Sequence, residues 1–142
     1  MRFLCVYKPS KPEGIPPTRE EMTRMGRLIE EMVRAGVLLA TEGCQPSAKG
    51  ARVRQSDGRI TVTDGPFAES KELIAGFALI QVKSKDEAIE WTKRFLEVAG
   101  DGESEIRQVH EAADFAPAVY EPEDVVRAKV WRDEMQKKPA AR

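Results

Sequence analysis

Two stretches of the chain, RFLCVY at residues 2–7 and GFALIQV at 76–82, present apolar side chains to both faces of an extended backbone. A strand of that kind has to be covered on both sides, because an open face would leave a large apolar patch in water. Whatever fold forms must therefore bury two sheet faces. The segments between and after these strands supply the first cover. Thr18 and Glu21 have the spacing of a capping box, and Met22, Met25, Ile29, Met32 and Val33 recur at three and four residues. That pattern predicts a helix with one apolar face, stopping at Gly36. The methionines read as core filler, with a pliable ligand surface as the alternative. Ser84 and Glu87 repeat the capping spacing ahead of a second stripe, Ala88, Ile89, Thr92, Phe95, Leu96 and Ala99, with Trp91 beside it and Gly100 at its end.

The remaining segments read as strands and loops. KPSKPEGIPP, residues 8–17, holds four of the nine prolines and is a loop. VLLATEG, 37–43, is a second strand, and SEIRQVHE, 104–111, a last and more polar one. ARVRQ and RITVTD flank Ser56-Asp57-Gly58, a strong hairpin signal. Val53, Ile60 and Val62 fall on one face of that hairpin; Arg52, Arg54, Arg59, Thr61 and Thr63 fall on the other, which reads as a solvated face.

The order β-α-β-(β-β)-α-β predicts an α+β fold, a ferredoxin-like βαββ(β)αβ unit whose antiparallel sheet carries both helices on one face. The other face still needs a cover. The simplest is a second copy, sheet against sheet with two-fold symmetry, so a homodimer is expected. A rival lies inside the chain. After DFAPAVY, residues 122–138 read as a helix with Val125, Ala128, Trp131 and Met135 on one face. It is expected to pack on the second copy or clasp the dimer edge, although it could instead blanket its own sheet. The last residues, KKPAAR, read as disordered. Residues 1–111 thus form the expected domain and 112–142 a helical extension.

Composition narrows the partners. The 142 residues include 23 basic and 24 acidic side chains, well mixed, for a net charge of −1, which argues against a nucleic-acid or membrane-surface binder. No apolar run approaches a membrane span of about 20 residues. The N-terminal segment is too short for a secretory signal, so the cytoplasm is the expected location. Cys5, in an apolar run, reads as a small buried hydrophobe; Cys44, after Gly43, is a weak candidate thiol. With one histidine and no ligand spacing, no metal is expected, and nothing resembles a phosphate loop or a nucleophile elbow. No cofactor is expected.

VTDGPFAESKELIAGFALIQV, residues 62–82, resembles the signature of the YCII-related family in its DGPF-type branch. SKDEAIEWTKRF, EIRQV and AGVLLATEGCQPSAKGARVR extend the likeness over residues 1–111. The resemblance implies a dimeric α/β barrel in which two ferredoxin-like sheets face each other. The wider fold group includes cofactor-free monooxygenases and lactone isomerases. YCII-like proteins are suspected enzymes because a histidine and an aspartate meet in the cleft, and some DGPF-type members are linked to extracytoplasmic-function sigma factors. The family's aspartate matches Asp64. Its histidine would fall in the first helix, which here has none; Gly26 and Arg27 stand near that place. His110, the one histidine, sits in a stretch that does not match.

Asp64 can therefore be read two ways. It caps the turn made by Gly65 and Pro66, or it is a carboxylate at a cleft mouth that acts as base once apolar surroundings lift its pKa. Phe67 could supply that wall. Glu105 and Arg107 alternate onto one face of the last strand. Arg107 needs a partner if buried, from Asp64 or Glu72, and an arginine among carboxylates could hold a small polar or anionic molecule. Lys71 or Glu72 would then turn inward, and Tyr7 could add a hydroxyl. Two functions fit: a cofactor-independent small-molecule enzyme doing proton-transfer chemistry, or a non-catalytic ligand-binding or regulatory module linked to a sigma-factor response.

Overall fold

Antiparallel pairing joins Arg2–Pro9 (β1), Leu38–Gly43 (β2), Gly76–Gln81 (β5) and Gly102–Gln108 (β6) into one sheet. The strand order is β2-β5-β1-β6. Ala51–Ser56 (β3) and Arg59–Asp64 (β4) make a separate two-stranded sheet. These assignments come from a computed structural model that describes residues 1–137.

Strand register fixes which side chains share a face. Phe3, Cys5 and Tyr7 on β1 align with Ile80, Ala78 and Gly76 on β5, and with Gln108, Ile106 and Ser104 on β6. This face is covered by Arg19–Arg34 (α1) and Lys85–Ala99 (α2). Its core is Phe3, Cys5, Leu28, Met32, Val37, Ile80, Val82 and Ala88, with Ile80 only 1% exposed. The opposite face carries Leu4, Val6, Phe77 and Leu79, as the doubly apolar strands required. Leu4 and Phe77 are exposed there.

Both helices start where the capping spacing placed them. The Thr18 hydroxyl accepts from the Glu21 N–H at 3.1 Å, and the Glu21 carboxylate accepts from the Thr18 N–H at 3.0 Å. At α2 the box is offset: Ser84 accepts from the Glu87 N–H, but Glu87 reaches back to the Lys83 N–H rather than to Ser84. The buried stripe of α1 centres on Leu28 and Met32, with Met25 and Ile29 half-buried. Leu28 was absent from the expected stripe, whereas Met22 and Val33, included in it, are exposed. The stripe is rotated because α1 packs through the side of the helix that carries Leu28.

Strand ends also shift. β1 runs on to Pro9, whose missing N–H would have pointed toward β5, which has already ended. β6 consequently begins at Gly102, opposite Pro9, and stops at Gln108, so His110 lies beyond the strand. Asp57 and Gly58 both have positive φ, 50° and 76°, as a two-residue hairpin turn of the right hand demands. Val53, Ile60 and Val62 share a face as expected, but they are 65–70% exposed and do not enter the core.

A second unit begins at His110. The rings of His110, Phe115 and Tyr120 stack in sequence, 4.8 and 5.3 Å between centroids. Pro122–Gln136 (α3) follows, with Pro122 in its first turn and Glu121 and Asp124 capping each other. The expected face of Val125, Ala128, Trp131 and Met135 is present, but Val126 and Val130 stand on the opposite side, and among these residues only Ala128 is half-buried. The helix ends at Gln136. Lys138, expected in it, and the rest of the expected disordered tail lie outside the described residues.

Candidate functional site

The ends of β1, β2 and β4 and the start of β5 bring three loops together: the proline-rich segment after Pro9, the 44–50 segment, and the 65–75 segment that opens with Gly-Pro-Phe. A carboxylate organises the first two. Glu13 accepts from the Ser47 N–H at 2.8 Å and from the Ser47 hydroxyl at 2.7 Å. The Ser47 oxygen in turn accepts from the Phe67 N–H at 3.1 Å, which ties in the third loop. The Gly65 N–H donates to the Gly50 carbonyl at 3.0 Å.

Together with Arg52, this network accounts for Gly65, Phe67 and Glu69 of the Asp-Gly-Pro-Phe-Ala-Glu string. Gly65 does not use the positive φ that glycine permits. It is glycine for want of space: a Cβ there would lie 1.7 Å from the Ser47 carbonyl oxygen. Phe67 is a platform for Arg52, whose guanidinium carbon sits 4.0 Å from the ring centroid. Arg52 also reaches Glu69 at 3.1 Å. That hydrogen bond holds the Glu69 carboxyl below its ordinary range. Arg52, expected on a solvated face, is thus the clasp between hairpin and loop. Only sequence-distant partners reveal this, since Arg52 and Glu69 are 17 positions apart and Glu13 and Ser47 are 34 apart.

The six side chains singled out from sequence do not meet in one cavity within the chain. Phe67 lines a cavity of about 690 Å³ beneath the proline-rich segment, with Ile15, Cys44, Leu73 and Ile74. Tyr7 lines a different one, of about 450 Å³, on the helix-covered face. Its ring packs edge-on against Phe95 at 5.1 Å, and its hydroxyl faces the carbonyls of Ala99, Gly100 and Asp101, each at 3.4 Å. Burial and the nearby Asp101 charge raise its pKa. Arg107 lies on the helix-free face of edge strand β6 and is 75% exposed; its partner is Glu105, at 3.4 Å, which also sits 3.7 Å from Lys8. Lys71 and Glu72 are exposed on the short 3₁₀ turn Ser70–Glu72 and do not turn inward. Asp64 is exposed at the end of β4. Its carboxylate has no hydrogen bond or ion pair among the described residues, so it does not cap the turn. His110 sits 3.9 Å from Asp114. Among the described residues no cluster of three or more His, Cys, Asp or Glu side chains could hold a metal. No helix among them is long and apolar enough to cross a membrane.

Comparison with known proteins adds three findings. The YCII-related domain model matches residues 1–113. An uncharacterised protein of Rhizobium meliloti (strain 1021) is 38% identical over 72 residues, which are 51% of this chain and 58% of that protein. The chain therefore spans less than two thirds of the length of that curated relative. Among solved structures, the 5-chloro-2-hydroxyhydroquinone dehydrochlorinase of Burkholderia phenoliruptrix, in complex with 2,5-dihydroxybenzoquinone, aligns at a TM-score of 0.36 and 12% identity, covering 82% of this chain and 100% of that one.

Proposed function

The chain belongs to the YCII-related family, and from that premise we propose that residues 1–111 form a DGPF-branch domain acting on a small molecule, with Asp64 as a proton-transferring carboxylate. One observation carries the reading. A carboxylate without a partner sits on a turn that Ser47, Glu13 and Gly50 hold rigidly. A side chain that merely shaped the turn would bond to it. A carboxylate held in place but uncommitted is free to accept a proton or orient a hydroxyl.

The helix-free face supports a homodimer. Leu4, Val6, Phe77 and Leu79 form an apolar strip there, flanked by Lys8, Glu105 and Arg107. A second copy pressed on that strip would enclose this charged row, where Arg107 could hold a polar or anionic group beside Glu72 and Lys71. Sedimentation at micromolar concentration should give twice the chain mass.

A non-catalytic binding or regulatory role, tied to a sigma-factor response, is the second reading. It is favoured by α1, which carries no histidine at residues 19–34 to complete a pair with Asp64. Asp64→Asn separates the two. Wild type and variant are compared on carbonyl, lactone and phenolic substrates. The enzyme reading expects turnover by the wild type, lost in the variant, with unfolding free energy unchanged within about 0.5 kcal/mol because no bond is broken. No turnover by the wild type on any substrate would favour the binding role.

A further inference from the structure

The 450 Å³ cavity between the sheet and the two helices is independent of Asp64. Its walls are Met25 and Met32 from α1, Trp91 and Phe95 from α2, and Cys5 and Ala78 from the sheet. Two features border it. On the solvent side the helices are tied together by Arg94 with Glu31 and by Arg24 with the Glu97 carbonyl. At one end Tyr7 stands edge-on to Phe95 like a post.

The polar groups along the wall are nearly all committed to the protein. The Thr41 hydroxyl donates to the Phe77 carbonyl at 2.9 Å, and that of Thr92 to the Ala88 carbonyl at 2.8 Å. Tyr7 faces the carbonyls at the end of α2. The Cys5 thiol is held protonated by burial. Glu42 contributes to the lining, but strand register directs its side chain to the helix-free face, opposite Phe77. One group remains: the hydroxyl of Ser104, half-buried on β6, has no hydrogen bond among the described residues.

The cavity opens to solvent on one side, and its walls are mostly apolar. With the hydroxyl protons of Thr41 and Thr92 committed to carbonyls, water resting on these walls finds few partners. Exchanging that water for an apolar guest removes apolar wall from solvent, which favours filling the cavity. We propose that it is a binding site for a neutral, flat, mostly apolar molecule carrying a single hydrogen-bonding group, which Ser104 receives. The volume lies within the range of small-ligand pockets, about 300–1,000 Å³. Methionine walls adjust to such a guest, and Trp91 and Phe95 offer ring faces and edges.

2-Naphthol is a suitable probe, with 2-naphthoate and naphthalene as comparisons. Protein labelled with ¹³C at its methionine methyl groups gives five signals. Those of Met22, Met25 and Met32 should shift and saturate with 2-naphthol, while those of Met1 and Met135, which do not line the cavity, stay still. Binding should be at least ten-fold tighter than for 2-naphthoate, whose charge would be buried unpaired. Ser104→Ala should weaken 2-naphthol about five-fold, the worth of one hydrogen bond, and leave naphthalene unchanged. Ala78→Phe should abolish binding by filling the space; if it fails to fold, the probe comparison and Ser104→Ala decide. Shifts that never saturate, five signals moving alike, 2-naphthoate binding equally well, or Ser104→Ala leaving 2-naphthol unaffected would each overturn the assignment.

Discussion

Replacing Gly65 by alanine tests the loop network most directly. The added Cβ would meet the Ser47 carbonyl oxygen at 1.7 Å and its carbon at 2.5 Å, whereas real Cβ contacts stay beyond 3.0 Å. Both obstacles are backbone, so no flexible side chain can yield. Either the 65–67 turn or the 47–50 segment has to move by more than about 1 Å. A movement of that size breaks the bond from Gly65 to Gly50, the bond from Phe67 to Ser47, and both bonds from Ser47 to Glu13. At about 0.5–1.5 kcal/mol each, and with exposed partners at the low end, the loss should be about 2–4 kcal/mol. Urea unfolding monitored by far-ultraviolet circular dichroism would measure it. Gly50→Ala is the matched control: its Cβ would lie 3.6 Å from the Ser47 oxygen, an ordinary contact, so stability should change by less than about 0.5 kcal/mol. If the two variants unfold within about 0.5 kcal/mol of each other, the close approach is not what makes residue 65 glycine.

Thr18→Ala should cost about 1 kcal/mol by removing the α1 cap, read from the same unfolding curves; no loss would mean that Glu21 alone caps the helix. Thiol titration should find Cys44 reacting at once and Cys5 only in denaturant, since Cys44 is exposed and Cys5 buried. Because burial raises the Cys5 pKa, its contribution to stability is fully present below the ordinary thiol pKa and is lost as pH rises from there through the raised value; a fast reaction of both thiols at neutral pH would contradict the burial. The Glu69 carboxyl is held low by Arg52, so that attraction operates above the ordinary glutamate pKa and is lost as pH falls through the depressed value. Arg52→Ala should raise the Glu69 pKa in a carboxyl ¹³C titration, and an unchanged titration curve would remove the clasp.

Local rules carried the architecture a long way. The capping spacing at Thr18 and Ser84, the Asp-Gly turn and the two doubly apolar strands are decided by neighbours in sequence, and each produced the element it implied. What local rules could not supply was long-range pairing. Nothing near Glu13 in sequence marks it as the partner of Ser47, and Arg52 sits on a strand face that looks simply solvated until Phe67 arrives beneath it. The helical stripe of α1 went astray for a related reason: the face centred on Leu28 is selected by packing against residues distant in sequence, Phe3, Cys5 and Ile80 of the sheet among them. The candidate site divided in the same way. Asp64 stood out because its motif is distinctive. Arg107 and Tyr7 were placed on the correct strands, but a strand has two faces, and these two residues occupy opposite ones.

The hairpin carries a hazard of its own. Its outer edges leave backbone donors and acceptors unsatisfied by neighbouring strands, and its greasy ladder of Val53, Ile60 and Val62 lies open. Such an arm is a template on which another arm could add. The guard is electrostatic: Arg54 and Arg59, unpaired among the described residues, project from the reverse side, so two arms approaching in register bring like charges together. Screening weakens that repulsion while leaving the greasy contacts intact. Concentrated stocks should therefore cloud sooner in high salt than in low.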